Sequence, residues 1–112
     1  MSKLPHFIHN TNIGQNFLRD HSVIDFIIER AALTEKDQVL EIGPGEGILT
    51  EALLSSECSS VCTLELDTRL KHVIEMLGIQ NKKLTPLWGD AVQFDYENSL
   101  PWYPNKIIAN LP

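Results

Sequence analysis

The sequence predicts an α/β fold, a parallel sheet with flanking helices, on three observations. Apolar residues switch repeatedly between strand and helix spacing; a glycine-rich turn stands between a strand pattern and a helix pattern; and an acidic residue follows each of the next two strand patterns. The first element is "SVIDFIIERAAL", where Val23, Ile24, Ile27, Ile28 and Ala31 recur at helical spacing and Ser22 with Asp25 predicts a capping box. "QVLEI" is a short β-branched and aliphatic run that ends at Gly43, a strand. Ile48, Leu49, Ala52 and Leu53 then return to helical period. The alternation repeats: "SVCTLEL" predicts a strand, Leu70, Val73, Ile74 and Leu77 a helix face, and "KLTPLW" and "NKIIAN" two further strands, the last entered through the proline-bounded loop "SLPWYPN". Strands that alternate with helices require right-handed crossovers, which places ligand sites at the carboxyl ends of the strands.

Composition bounds the function. A chain of 112 residues holds one small domain. With 43% hydrophobic and 21% charged residues it is built to pack rather than to stay disordered. Acidic residues outnumber basic ones, 15 against 9, and the net charge of -6 excludes a simple basic nucleic-acid-binding domain. No apolar run approaches a membrane span and the N-terminus lacks the apolar core of a secretory signal, so a cytoplasmic location is expected. Cys58 and Cys62 lack a second pair that would complete a zinc site, and a structural role is expected for both.

The turn "VLEIGPGEGILTEAL" carries the chemistry. Gly43, Gly45 and Gly47 give G-x-G-x-G, and Ile48 stands where a dinucleotide fingerprint needs its third glycine, which argues against a nicotinamide site. Glycines let the main chain approach a ligand, and the helix that follows presents unpaired N–H groups. Glu65 would stand beside the same crevice, where two carboxylate oxygens suit both hydroxyls of a ribose. Asp90 in "WGDA", after the third strand, could accept from the exocyclic amine of an adenine. Either acid alone fits a solvated loop; their common placement after consecutive strands is what points to a ligand.

Taken in order and spacing, "IGQNFLRD", "LEIGPGEGILT", "LELD", "GDA" and "ANLP" resemble the ribosomal RNA adenine-N6 dimethyltransferases, the S-adenosylmethionine-dependent enzymes that modify two adjacent adenines in small-subunit RNA. That resemblance covers nearly the whole chain and implies a Rossmann-like class I methyltransferase fold. It also implies roles. Asn16 and Leu18 would close over S-adenosylmethionine, Gly43 and Gly45 would approach its methionine moiety, and Glu65 would bind the ribose. Asp90 and the backbone of Ala91 would meet the adenine, while Asn110, Leu111 and Pro112 would present the target amine to the methyl group, Asn110 lying between cofactor and base. Family members continue through more strands and a helical domain that helps bind RNA. The expectation is therefore that residues 1–112 form the N-terminal, cofactor-binding part of such an enzyme, truncated after the fourth strand, inactive by itself and prone to self-association along the edge at Lys106 to Asn110, where Lys106 is the one guarding charge. The expected partner is small-subunit ribosomal RNA in immature subunits.

Other residues read as ordinary structure. His6, His9 and His21 lack paired metal-ligand spacing and are expected at the surface. Lys82 and Lys83 are expected in a solvated loop, and Trp88 in the core of its strand, with Trp102, Tyr96 and Tyr103 as further aromatic candidates for RNA stacking. Three competing functions follow: a large-subunit adenine-N6 methyltransferase of the antibiotic-resistance kind, a non-catalytic RNA or ribosome-assembly module, and a nicotinamide-dependent enzyme, the last disfavoured by Ile48.

Overall fold

The computed structural model describes residues 20–109. Helix α1 (His21–Ala31) is followed by strand β1 (Gln38–Ile42), helix α2 (Ile48–Ser55) and strand β2 (Ser60–Glu65). A single 3-10 turn (Thr68–Leu70) then opens helix α3 (Lys71–Gln80), and strand β3 (Leu84–Trp88), a short helix α4 (Tyr96–Ser99) and strand β4 (Lys106–Ala109) complete the order. The four strands form one parallel sheet, β3-β2-β1-β4.

Helix α1 begins two residues earlier than the capping-box reading required. Asp20, not Ser22, is the N-cap: its carboxylate accepts the Ser22 N–H at 2.9 Å and the Ser22 hydroxyl at 2.7 Å. A carboxylate reaches the first-turn N–H groups more readily than a hydroxyl already inside the helix, so Ser22 becomes a donor to the cap. At the other end Ala32 turns left-handed, with φ +50°, and its N–H closes on the Glu29 carbonyl.

Strand β1 lies between β2 and β4, and an apolar cluster covers each of its faces. Val39, Val61 and Ile108 point to the face packed by Ile24, Ile27, Leu49 and Leu53. Leu40, Cys62 and Leu64 point to the other, under Leu87, Phe94, Tyr96, Trp102 and Ile107. Both cysteines are buried and unbridged, the structural role expected; burial pushes the Cys62 thiol up to about 12. Trp88 departs from expectation: it is half-buried at the end of edge strand β3 and outside both core clusters. Within α3, Ile74 is buried while Val73 is exposed, because this helix packs narrowly against the edge strand.

Two lysines are tied to helix ends. Lys83, expected in solvent, donates to the Leu54 and Ser56 carbonyls at 3.0 and 2.9 Å and so caps α2. Lys106 donates to the Ala31 and Ala32 carbonyls at 2.6 and 3.0 Å and to Asp37 at 3.0 Å. Its amine therefore fastens α1 to the sheet instead of guarding the β4 edge. Asp37 also accepts from Asn105 Nδ2 at 2.6 Å and from the Thr34 N–H at 2.8 Å. Burial pushes its carboxyl upward, but these donors and the Lys106 charge more than offset that and hold it at about 2. This polar clamp lies at the amino ends of the strands, opposite the glycine turn.

Candidate functional site

Three chain segments meet at the carboxyl ends of β1, β2 and β3, and hydrogen bonds between them define the site. The Gly43 N–H extends the sheet by donating to the Leu64 carbonyl at 2.9 Å, and the Gly89 N–H donates to the Glu65 carbonyl at 3.0 Å. Glu65, 9% exposed, accepts from the Gly45 N–H at 3.1 Å through Oε1 and from the Asp67 N–H at 2.9 Å through Oε2. One carboxylate thus fixes the glycine turn and the loop after β2 in a common frame. Each oxygen retains acceptor capacity for a ligand hydroxyl.

The glycines differ in purpose. Gly43, Gly45 and Gly47 all have positive φ, +76°, +57° and +89°. A Cβ at Gly47 would lie 2.7 Å from Leu77 Cδ1, so this residue is a packing glycine that lets α3 approach the start of α2. A Cβ at Gly45 would meet nothing within 4 Å. Open space beside a left-handed glycine, bordered by a buried carboxylate, leaves room for a ligand to approach the main chain.

Asp90 accepts the Val92 N–H at 2.9 Å through Oδ1, and its carbonyl accepts the Gln93 and Phe94 N–H groups at 3.0 and 2.8 Å. That turn sets Ala91 against the cluster around Leu64 and is braced by the Tyr96 hydroxyl, which donates to the Ala91 carbonyl at 2.5 Å. Burial and then the Asp90 charge raise the Tyr96 hydroxyl's pKa, which keeps it a donor. The structure therefore brings Gly43, Gly45, Glu65, Asp90 and Ala91 to one end of the sheet, as expected. Asn16, Leu18, Asn110, Leu111 and Pro112 lie outside the described residues, as do His6 and His9; His21 is exposed.

Sequence reasoning missed two groups here. Leu66 and Val92, one residue past Glu65 and two past Asp90, are 66% and 90% exposed. Exposed aliphatic side chains next to Glu65 and Asp90 in the chain offer apolar surface at this end of the sheet. The signal was their position beside the two acids. Glu41 is the other omission: it is fully buried within β1, accepts the Thr50 hydroxyl through Oε1, and leaves Oε2 without a hydrogen-bond partner. Burial, and beyond it the Glu65 charge, raise its carboxyl to about 7 against the lowering effect of Thr50. Among the described residues no cluster of His, Cys, Asp and Glu could hold a metal ion, and no helix is long and apolar enough to cross a membrane.

The sequence profile of the family "Ribosomal RNA adenine dimethylase" matches residues 6–112. A ribosomal RNA small subunit methyltransferase A from Clostridium acetobutylicum is 37% identical over 107 residues, 95% of this chain and 38% of that protein. The crystal structure of a dimethyladenosine transferase from Plasmodium falciparum superposes with a TM-score of 0.70 at 29% identity, over 83% of this chain and 32% of that one. The 23S rRNA methyltransferase ErmE superposes equally well, TM-score 0.70 at 32% identity, over 87% of this chain and 38% of that one. The chain thus spans less than two fifths of the length of these relatives, and its parallel sheet with flanking helices is the class I methyltransferase fold.

Proposed function

Because the chain belongs to the ribosomal RNA adenine dimethylase family, we propose that it forms the N-terminal, cofactor-binding part of an S-adenosylmethionine-dependent enzyme that dimethylates N6 of two adjacent adenines in small-subunit ribosomal RNA. The observation that carries this reading is the buried Glu65 carboxylate, held by the Gly45 and Asp67 N–H groups beside the open space at Gly45. These residues fit the cofactor. Glu65 would take the ribose hydroxyls, and Gly43 with Gly45 would admit the methionine moiety. Asp90 and Ala91 would meet the adenine edge, with Leu66 and Val92 against its faces. Asn16 and Leu18 would close the site.

When bound, the cofactor supplies an electrophilic methyl group. Positioning is then what the protein must add, since an adenine N6 lone pair is delocalised into its ring and has to be localised and aimed. Asn110 and the Leu111 carbonyl would accept hydrogen bonds from the amine and favour its pyramidal form, and Pro112 would fix the direction of that segment. The target base must be unpaired or flipped to reach them. The acidic charge of the chain fits a division of labour in which residues 1–112 hold cofactor and an RNA-facing basic surface lies elsewhere in the enzyme. The partner is immature small subunits. Small-subunit over large-subunit RNA is favoured by the similarity to curated small-subunit enzymes.

In the complete enzyme, Asn110→Ala is expected to lower methyl transfer far more than cofactor affinity, because the side chain orients the amine instead of anchoring the ligand. Equal losses in single-turnover rate and in calorimetric affinity would contradict that role. Primer extension on both ribosomal RNAs from a deletion strain assigns the target: loss of the modification from large-subunit RNA would overturn the small-subunit reading.

A further inference from the structure

We propose that Glu41 is a proton-holding positioning residue beneath the glycine turn, whose carboxyl gives up its proton when a cationic ligand occupies the crevice and keeps it when a neutral one does. The inference rests on the S-adenosylmethionine reading of the site and adds to it a basis for telling substrate cofactor from product. Glu41 lies two residues before Gly43 and is fully buried. Its Oε2 and the Thr63 hydroxyl are both buried without a hydrogen-bond partner. The two residues are register neighbours on β1 and β2, so parallel pairing puts both side chains on one sheet face. An ionised oxygen left bare in such a place is costly, and a proton on the carboxyl removes that cost.

Among the described residues no cation compensates Glu41. On β2 the group on the same face is Thr63, followed two residues on by the acidic Glu65; on α2 it is Thr50; on β4 the register partner is Ile108. Lys106, the one basic residue of β4, is committed to the end of α1 and to Asp37. Burial and the neighbouring Glu65 charge hold the Glu41 carboxyl near neutrality, where a nearby positive charge decides its state. A sulfonium in the crevice brings that charge; the thioether of S-adenosylhomocysteine does not. On binding the cation, the Glu41 O–H bond breaks, the proton passes to the buffer and the carboxylate stays as counter-charge. Linkage then requires affinity for S-adenosylmethionine to rise with pH through this range while affinity for S-adenosylhomocysteine stays nearly level. Each pKa unit by which the cation depresses Glu41 is worth about tenfold in the ratio of the two affinities.

The test is calorimetric titration of the complete enzyme with each ligand between about pH 6 and pH 8, in pairs of buffers that differ in ionisation enthalpy. S-adenosylmethionine is expected to release protons to the buffer and S-adenosylhomocysteine to release fewer, with the affinity ratio climbing several-fold across that window. Glu41→Gln should still bind both ligands but abolish the proton release and flatten the ratio. Thr50→Val, which removes the hydroxyl that favours the ionised form, should move the midpoint of the pH dependence upward, and it keeps the test decisive should Glu41→Gln fail to fold. Binding of S-adenosylmethionine with no buffer-dependent heat, an unchanged release in Glu41→Gln, or an unmoved midpoint in Thr50→Val overturns the role of Glu41 alone. No binding of either ligand at any pH overturns the cofactor reading with it.

Discussion

Glu65 joins two backbone segments and would still accept from a ligand, so its removal acts twice. Glu65→Ala is expected to weaken S-adenosylmethionine binding by more than about 1 kcal/mol, through lost charge-assisted bonds to the ribose and a freed Gly45 N–H. Unchanged calorimetric affinity would remove it from the site. Asp37 and Glu41 set opposite limbs of the stability profile. The Asp37 carboxyl is held at about 2, below its ordinary value, so its contribution is present above roughly pH 4 and is lost as pH falls toward 2. Glu41 is raised to about 7, so stability is complete below its ordinary value and declines as pH rises through neutrality. Denaturant midpoints measured against pH should lose the acid limb in Asp37→Asn and the neutral limb in Glu41→Gln; retention of both limbs in both variants would refute the assignment. Glu65 and Asp90 were legible in the sequence because each stands at or just past the carboxyl end of a strand pattern. Glu41 was not, since one acid in an apolar run looks the same whether its carboxyl meets water or a threonine across the sheet. Asp37 was hidden for a different reason: its partners Asn105 and Lys106 are nearly seventy residues away.

At the level of elements, the glycine turn is two devices in one motif. Gly47→Ala strains a left-handed backbone and drives a methyl group against Leu77, whereas Gly45→Ala strains the backbone in open space. The expected result is a loss of about 2 kcal/mol or more in stability for Gly47→Ala, and a smaller loss for Gly45→Ala accompanied by the greater fall in cofactor affinity. Urea unfolding and ligand titration of both variants check this, and the reverse ranking in either measurement would contradict the division. Strand limits could be read to within a residue because buried parallel strands are continuous apolar runs bounded by glycine, serine or asparagine. Helix limits were harder. The start of α1 depends on whether Asp20 or Ser22 supplies the cap, and both are good capping residues. Helix α4, four residues long, is too short to show any period, and Val73 was assigned to the buried face of α3 although only a narrow stripe around Ile74 meets β3.

In the molecule as a whole, the order β3-β2-β1-β4 gathers the candidate site residues on the β1, β2 and β3 side and leaves β4 paired on one side only among the described residues. With the Lys106 amine drawn into the end of α1, the unpaired backbone edge of β4 carries no guarding charge of its own strand. The 112-residue chain is therefore expected to self-associate through β4, seen as concentration-dependent sedimentation; a monomer at all concentrations would count against it. The alternation of periods made the parallel sheet legible, but which strand occupies the centre depends on pairings that no local pattern encodes. The clamp of Asp37, Asn105 and Lys106 stands about 17 Å from the glycine turn, the length of a five-residue strand. At that separation the two ends are close to energetically independent. Heritable variation at the clamp is then felt as the amount of folded protein in a cell, and variation at the turn as what each folded copy can do, so a lineage can trade abundance and chemistry against each other one end at a time.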